Sequence, residues 1–486
     1  MNYRRRLPIQ VAGEIEPPLA RPLYNLRDER LSRALTRVSN APLRYGNALA
    51  LLQDGAATYE DWLAAISRAE RWIHLENYIF KNDTIGQRFA EALAERAAAG
   101  VRVRVLYDWF GSLDVPNSFW RRLRRAGVDV RVVNPLWDGA PLDIFQRDHR
   151  KLLAVDGVYA SIGGVCIADA WLAFSPVTGL PYRDTAVRVT GPAIADLERA
   201  FADIWDSQGT PLPPDEVPDI ATIPPAGEIE ARVIVQEPGR LRMLRTLQVL
   251  LAGVEERIWI ADAYFLATPI LREAIMAAAR DGVDVRILLP STNDVLLVGP
   301  LSRYGYRPLL QSGVRIWEYA GPMMHAKTIV ADGWWARVGS TNMNITGLMT
   351  NWEIDLVAED RRFAAAMEAM YEEDLENARE ILGGQRGPHP TRPESRAERV
   401  ARQHHPRVRM PSARMARVSA TLQAVSSTSL QRNERTVGAT IGALLLSVSL
   451  LSARFPKVLA WPLAIIGALI GAVSLIRAAN PEDEDE

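Results

Sequence analysis

The chain has 486 residues, 57 Lys plus Arg against 58 Asp plus Glu, and 48% hydrophobic side chains. That length holds two or three domains with sizeable cores, and a formal net charge of -1 gives no overall attraction to a polyanion. The single cysteine, Cys166, excludes an intrachain disulfide, so nothing points to an oxidising compartment.

Residues 1–44 read as an N-terminal extension. It opens on the basic stretch MNYRRRLPIQ with no apolar core behind it, so no secretory signal is expected. Residues 45–207 form a first half. RWIHLENYIF (71–80), AGVRVRVLYD (99–108) and RRAGVDVRVV (124–133) predict strands, and GQRFAEALAERAAAG predicts a helix ending at glycine. DHRKLLAVDG (148–157) predicts a buried strand with His149 and Lys151 on one face, because strand side chains alternate with period two, and Asp156 at its turn.

A Pro-rich linker, 208–228, leads to a second half, 229–385, which repeats the first. RIWIADAYFL (257–266), DGVDVRILLP (281–290) and LQSGVRIWEY (310–319) match the three strands, and MHAKTIVADG (324–333) returns the motif as His325, Lys327 and Asp332. Gly163-Gly164 and Gly339-Ser340 follow the two aspartates at equal spacing. The chain has only four lysines, and two stand in these motifs. Such alternation predicts a mixed α/β sandwich in each half, with both His-Lys strands meeting at a pseudo-twofold interface.

Residues 386–436 are rich in Arg, Pro and Ser and read as a basic linker. Residues 437–476 hold two uncharged runs separated by RFPK, near the short end of what spans a bilayer. They predict a two-helix transmembrane hairpin; a buried helical hairpin in a soluble core is the alternative. The arginine excess before it predicts a cytoplasmic catalytic region, with the acidic tail 477–486 on the same side.

Two His-Lys pairs suit displacement at a phosphodiester. One histidine attacks phosphorus while the other protonates the leaving alcohol and later deprotonates the acceptor. The lysines supply positive charge at the phosphoryl oxygens. No Asp, His or Cys cluster has metal-ligand spacing, so no cofactor or metal is expected. The candidate catalytic set is His149, Lys151, Asp156, His325, Lys327 and Asp332, although the two aspartates also read as plain turn acceptors. Ser340, Asn342 and Asn344 are candidate substrate contacts. Asp184 and Glu353 hold like places after each motif, as orienting carboxylates: Asp184 for His149 and Glu353 for His325.

The doubled His-x-Lys-x4-Asp motif with its Gly-Gly or Gly-Ser pair resembles the phospholipase D superfamily. IHLENYIF, HRKLLAVDG, YRDTAVRVTGP, HAKTIVADG and VGSTNMNITGLMTNWEIDL are similar in particular to bacterial cardiolipin synthases. The resemblance covers about residues 45–380. It implies two phospholipase D-like halves and metal-independent phosphatidyl transfer from an anionic lipid, phosphatidylglycerol, through a phosphohistidine. It places the nucleophile at His149, the general acid and base at His325, and phosphate contacts at Lys151, Lys327 and Asn342. Cys166 stands where the family usually has Asn. The expected setting is the inner membrane of a bacterial cell, with no nucleic-acid partner and an open oligomeric state. A hydrolytic phospholipase D, or a nuclease using the basic stretch WRRLRRAG (120–127), is the alternative.

Overall fold

A computed structural model describes residues 9–10, 26–135, 146–173, 179–295, 298–382 and 385–386. The basic linker beyond Arg386, the hairpin 437–476 and the tail 477–486 lie outside these residues. No helix among the described residues is long and apolar enough to cross a membrane.

Two short elements, β1 (Ile9–Gln10) and α1 (Leu26–Ser39), precede the first half. The first half then runs β2 (Arg44–Gln53), α2 (Asp54–Ser67), β3 (Trp72–Asn77), α3 (Thr84–Ala98), β4 (Arg102–Asp108), α4 (Asn117–Arg125), β5 (Asp129–Val133), β6 (Lys151–Val155), β7 (Tyr159–Gly163), β8 (Thr185–Thr190) and α5 (Ile194–Ser207). The second half runs β9 (Ile229–Gln236), α6 (Arg242–Gly253), β10 (Arg257–Ala261), α7 (Pro269–Arg280), β11 (Asp284–Pro290), α8 (Val298–Tyr304), α9 (Tyr306–Gln311), β12 (Arg315–Tyr319), β13 (Thr328–Ala331), β14 (Trp335–Gly339), β15 (Glu353–Glu359), α10 (Arg361–Glu376), β16 (Ala378–Leu382) and β17 (Gln385–Arg386).

The halves share one plan. In the first, β3, β4 and β5 are parallel, and β6, β7, β8 and β2 continue antiparallel from β3. In the second, β10, β11 and β12 are parallel, and β13, β14, β15 and β9 continue from β10. The predicted sandwich halves are joined through their sheets as well, because β2 pairs with β9 and makes one 17-stranded sheet. That pairing satisfies two edge strands that would otherwise expose a row of backbone donors and acceptors.

Strands β3 and β6 are buried along their whole length, as expected when both faces are covered. One core lies between the halves and takes Phe201 and Trp205 of α5 with Phe363, Met367 and Tyr371 of α10. A second lies under α2, α3 and α4 and takes Trp62, Phe89 and Trp120.

Two predicted connecting segments are integral parts of the fold. In the N-terminal extension, α1 receives Arg232 of β9 on Ser32 Oγ (2.8 Å) and Thr36 Oγ1 (2.6 Å). In the Pro-rich linker, buried Glu216 accepts from Arg104 Nη2 (2.7 Å) and lies 3.2 Å from His74 Nε2. His74, on β3, is fully buried and structural. Its ring stacks on Phe201 at 4.5 Å, and its Nδ1 lies 2.5 Å from Glu198.

The halves are also tied by a buried fork. Arg183 donates through Nε (2.7 Å) and Nη2 (2.8 Å) to the two carboxylate oxygens of Asp374 on α10. Arg183→Ala leaves that carboxylate buried and uncompensated, so urea unfolding is expected to show a loss of about 3–5 kcal/mol. An unchanged midpoint would mean the fork contributes nothing across the interface.

Candidate active site

The two motifs meet where the sheets face each other. His149 and Lys151 enter β6, and His325 and Lys327 enter β13; all four are buried. Each entry is pinned by the opposite half. His149 N–H donates to the Trp352 carbonyl at 3.0 Å, and His325 N–H to the Arg183 carbonyl at 2.6 Å. Parallel bridges at Asp148–Trp352 and Arg183–Met324 complete the exchange.

These crossings decide which carboxylate orients which ring. His149 Nδ1 lies 3.0 Å from both oxygens of Glu353, and His325 Nδ1 lies 2.7 Å from Asp184 Oδ2. The expected pairing within each half is therefore corrected: the carboxylates are exchanged. Within the first sheet β7 separates β8 from β6, so Asp184 starts about 10 Å from its own half's motif strand. The pseudo-twofold brings the other half's carboxylate closer.

Each carboxylate is held in turn. Glu353 accepts from Ser340 Oγ (2.5 Å) and Asn351 Nδ2 (3.2 Å). Asp184 accepts from Trp171 Nε1 (2.7 Å) and the Thr185 amide (2.8 Å). Gly164 makes room for Asp184, and Gly339 for the buried Asp355 next on the same strand face as Glu353. A Cβ on Gly164 would lie 2.1 Å from Asp184 Oδ1, and one on Gly339 2.0 Å from Asp355 Oδ1.

Lysine nitrogens complete the site. Lys151 Nζ donates to its own motif's His149 carbonyl and sits 5.0 Å from the Tyr78 ring centre. Lys327 Nζ lies 3.1 Å from both ring nitrogens of His325 and 5.6 Å from the Tyr264 ring centre. Tyr78 and Tyr264 also stand edge-on to His149 (4.8 Å) and His325 (5.8 Å). Their signal was present in the repeated NYIF and AYFL but was not read as part of the site. A cavity of about 890 Å³ opens over this group, lined by His149, His325, Cys166 and Asn342 among others.

Four candidates take other roles. Asp156 sits past the far end of β6 and accepts three backbone amides, from Glu70, Arg71 and Trp72, at 2.7–2.8 Å. Asp332 does the same for Glu255, Glu256 and Arg257 at 2.8–2.9 Å. Both have positive φ (55° and 47°) and close a turn, so the motif aspartates are turn acceptors and not catalytic groups. Ser340 supports Glu353 rather than facing the cavity. Asn344 borders the cavity but commits its amide to the backbone, accepting from Gly347 N–H (2.9 Å) and donating to the Tyr264 carbonyl (3.1 Å). Asn342 is buried, lines the cavity, and its Oδ1 has no hydrogen-bond partner among the described residues.

The electrostatics are unequal across the pseudo-twofold. Burial opposes ionisation of Asp184, yet His325 beside it holds the carboxyl at about 2. Burial raises Glu353 to about 7 despite the Lys151 charge and the Ser340 hydroxyl. Burial, helped by neighbouring Lys151 and opposed by Asp184, lowers Lys327 to about 8. Burial and the lysine charges push His149 well below the usual imidazole range. Burial and Lys327 lower His325 against the pull of Asp184. Near neutral pH the site therefore sets neutral imidazoles beside the Lys327 ammonium, an arrangement suited to an incoming anion.

A family model described as "Cardiolipin synthase, PLD-like domain" matches residues 62–205 and 248–375. Cardiolipin synthase A of Pseudomonas putida (strain W619) is 34% identical over 353 residues, covering 72% of this chain and 73% of that protein. This chain belongs to the cardiolipin synthase family of phospholipase D-like proteins. The probable cardiolipin synthase YwiE of Bacillus subtilis (strain 168) is 29% identical over 355 residues, covering 73% and 71%. The fold is also that of a phosphatidylserine synthase from Haemophilus influenzae (TM-score 0.57, 16% identity, 81% of this chain and 98% of that one). A polyphosphate kinase from Porphyromonas gingivalis shares it less closely (TM-score 0.51, 14% identity, 74% and 52%).

Within this family chain, the internal repeat sets Cys166 opposite Asn342. The thiol is buried, and its nearest acceptor is the Gly164 carbonyl at 4.0 Å. Burial raises its pKa, so it packs as a small apolar group.

Proposed function

We propose that the protein is a phosphatidyltransferase that makes cardiolipin from phosphatidylglycerol. The observation that carries this is the meeting of two His-Lys pairs in one buried cavity, each ring held by a carboxylate of the opposite half. Glu353 accepts a hydrogen bond from the Nδ1–H of His149 and so leaves its Nε2 unprotonated and free to attack. A nitrogen–phosphorus bond forms as the bond to the glycerol oxygen breaks. His325, gaining a proton as the anionic substrate binds and Asp184 stabilises the cation, gives that proton to the glycerol. His325 then deprotonates the hydroxyl of a second phosphatidylglycerol, whose oxygen displaces His149 from phosphorus. Lys151, Lys327 and Asn342 face the non-bridging oxygens. Hydrolysis uses the same steps with water as acceptor.

Purified protein should convert phosphatidylglycerol vesicles to cardiolipin plus glycerol and leave plasmid DNA intact. Phosphatidic acid as sole product would favour the hydrolytic reading, and nicked DNA the nuclease. No arginine of α4 lines the cavity, which weighs against the nuclease.

The profile of kcat/KM against pH should be a narrow bell. Below about 7, Glu353 is protonated and loses the negative charge that supports His149; above about 8, Lys327 loses its charge. Ser340→Ala removes a hydrogen bond that lowers the Glu353 pKa, so the acid limb should move to higher pH while the alkaline limb stays. An unmoved acid limb would detach it from Glu353.

The proposal includes a membrane anchor at 437–476 with the catalytic halves on the cytoplasmic side, supported by the uncharged runs and the arginine excess before them. Reporter fusions at residue 436 should read cytoplasmic and those in the RFPK loop periplasmic; the reverse would invert the topology.

A further inference from the structure

Most large apolar side chains exposed among the described residues lie in or beside segments that line the catalytic cavity. Val295 lines it directly. Ile345 stands between lining residues Asn344 and Thr346, and Leu113 precedes lining residue Asp114. Phe110 lies under the guanidinium of Arg147, another lining residue, at 6.0 Å. Leu301 (55% exposed) and Tyr304 (89%) follow lining residue Val298 on α8 at successive three-residue steps, so each neighbours the one before it. The ring takes side chains from both halves. Tyr45, Val158 and Leu382 are exposed elsewhere as single residues.

We propose that this rim is a docking surface for an anionic phospholipid bilayer, inserting Leu301, Tyr304, Leu113 and Phe110 between headgroups so that the cavity meets its substrate at the membrane interface. The inference rests on the transferase reading. A donor lipid brings its phosphodiester between His149 and His325, while its acyl chains need an apolar surrounding continuous with the bilayer. A clustered apolar rim marks an interaction site, where scattered residues do not. The occupant is a lipid surface because the rim encircles a lipid-headgroup site and Tyr304 is flanked by exposed Arg303 and Arg307, which suit anionic headgroups. Arg303 also bonds Glu318 at 2.6 Å, and all four carboxylates lining the cavity are engaged: Asp114 by Lys81 (2.7 Å), Asp294 by the Tyr264 hydroxyl (2.8 Å), Asp83 by the Gly86 amide (2.9 Å) and Asp169 by the Ile85 amide (2.8 Å). An interfacial tyrosine is favoured for its apolar body and polar tip.

The test uses the full chain reconstituted in phosphatidylglycerol vesicles. Its one native cysteine is buried, so Leu301→Cys takes an environment-sensitive fluorophore selectively. Val158→Cys is the control, since Val158 is 63% exposed beyond the far end of β6. The label at 301 should shift to the blue and be quenched by brominated lipid, and the label at 158 should do neither. The double variant Leu301→Glu, Tyr304→Glu should lose about tenfold or more in turnover of vesicle lipid. It should keep turnover of dihexanoyl phosphatidylglycerol below its micelle concentration. Insertion of the label without any lipid product would support the docking surface and count against the transferase reading. Lipid product with the 301 label still in water would overturn the docking surface. So would shielding of that label without lipid, which would assign the rim to a second copy or another protein, and so would equal loss on both substrates.

Discussion

His149→Ala is expected to abolish phosphoenzyme formation with every substrate, while His325→Ala abolishes transfer and keeps one partial reaction. With a nitrophenyl phosphodiester the leaving group departs with little acid help, so His325→Ala should release one equivalent of nitrophenol and then stall. Loss of the nucleophile or the base of a catalytic unit commonly costs about 10⁶-fold in turnover. Both side chains are buried at the meeting of the halves, so circular dichroism and urea midpoints should accompany the kinetics. A burst in His149→Ala and none in His325→Ala would exchange the two roles.

Asp184→Asn and Glu353→Gln are expected to fail at opposite stages, because the carboxylates cross between halves. Asp184 faces His325 at 2.7 Å, so Asp184→Asn should keep the nitrophenol burst and slow turnover by about 10³–10⁴-fold, as loss of an orienting carboxylate does elsewhere. Glu353 faces His149 at 3.0 Å, so Glu353→Gln should slow the burst itself. The amide can present an N–H to Nδ1 and so favour the tautomer whose Nε2 carries the proton and cannot attack. Pairing within each half predicts the reverse assignment. Rapid-quench measurement of the two variants separates the schemes.

The fold and the chemistry were legible for different reasons. His149, Lys151, His325 and Lys327 stood out because a chain with four lysines spends two of them in a repeated spacing, and period-two alternation puts each pair on one face. The repeat also announced two like halves and a shared site. The spacing predicted pairing within each half, Asp184 with His149 and Glu353 with His325, and that prediction failed, because a carboxylate at the same place in two repeats serves either ring equally well on paper. The choice belongs to the contacts His149–Trp352 and His325–Arg183, which link residues distant in sequence. Asp156 and Asp332 show the opposite limit. Their recurrence came from a turn the fold needs twice, at the end of the strand away from the chemistry. Ser340 was read at the phosphate because a hydroxyl can hydrogen-bond there, but its hydroxyl donates to Glu353 instead. The linker at Glu216 and the extension at α1 read as connectors because their anchoring contacts, with Arg104 and Arg232, are tertiary.

The central claim is that one phosphatidyl-transfer site is assembled from both halves, with His149 carrying the covalent intermediate. Its most direct measurement is rapid acid-free quenching of wild-type protein with a nitrophenyl phosphodiester, followed by peptide mass spectrometry of the adduct. The account predicts a single phosphoryl adduct on the peptide containing His149, discharged on addition of phosphatidylglycerol. An adduct on His325, or turnover with no adduct on either histidine, would contradict it.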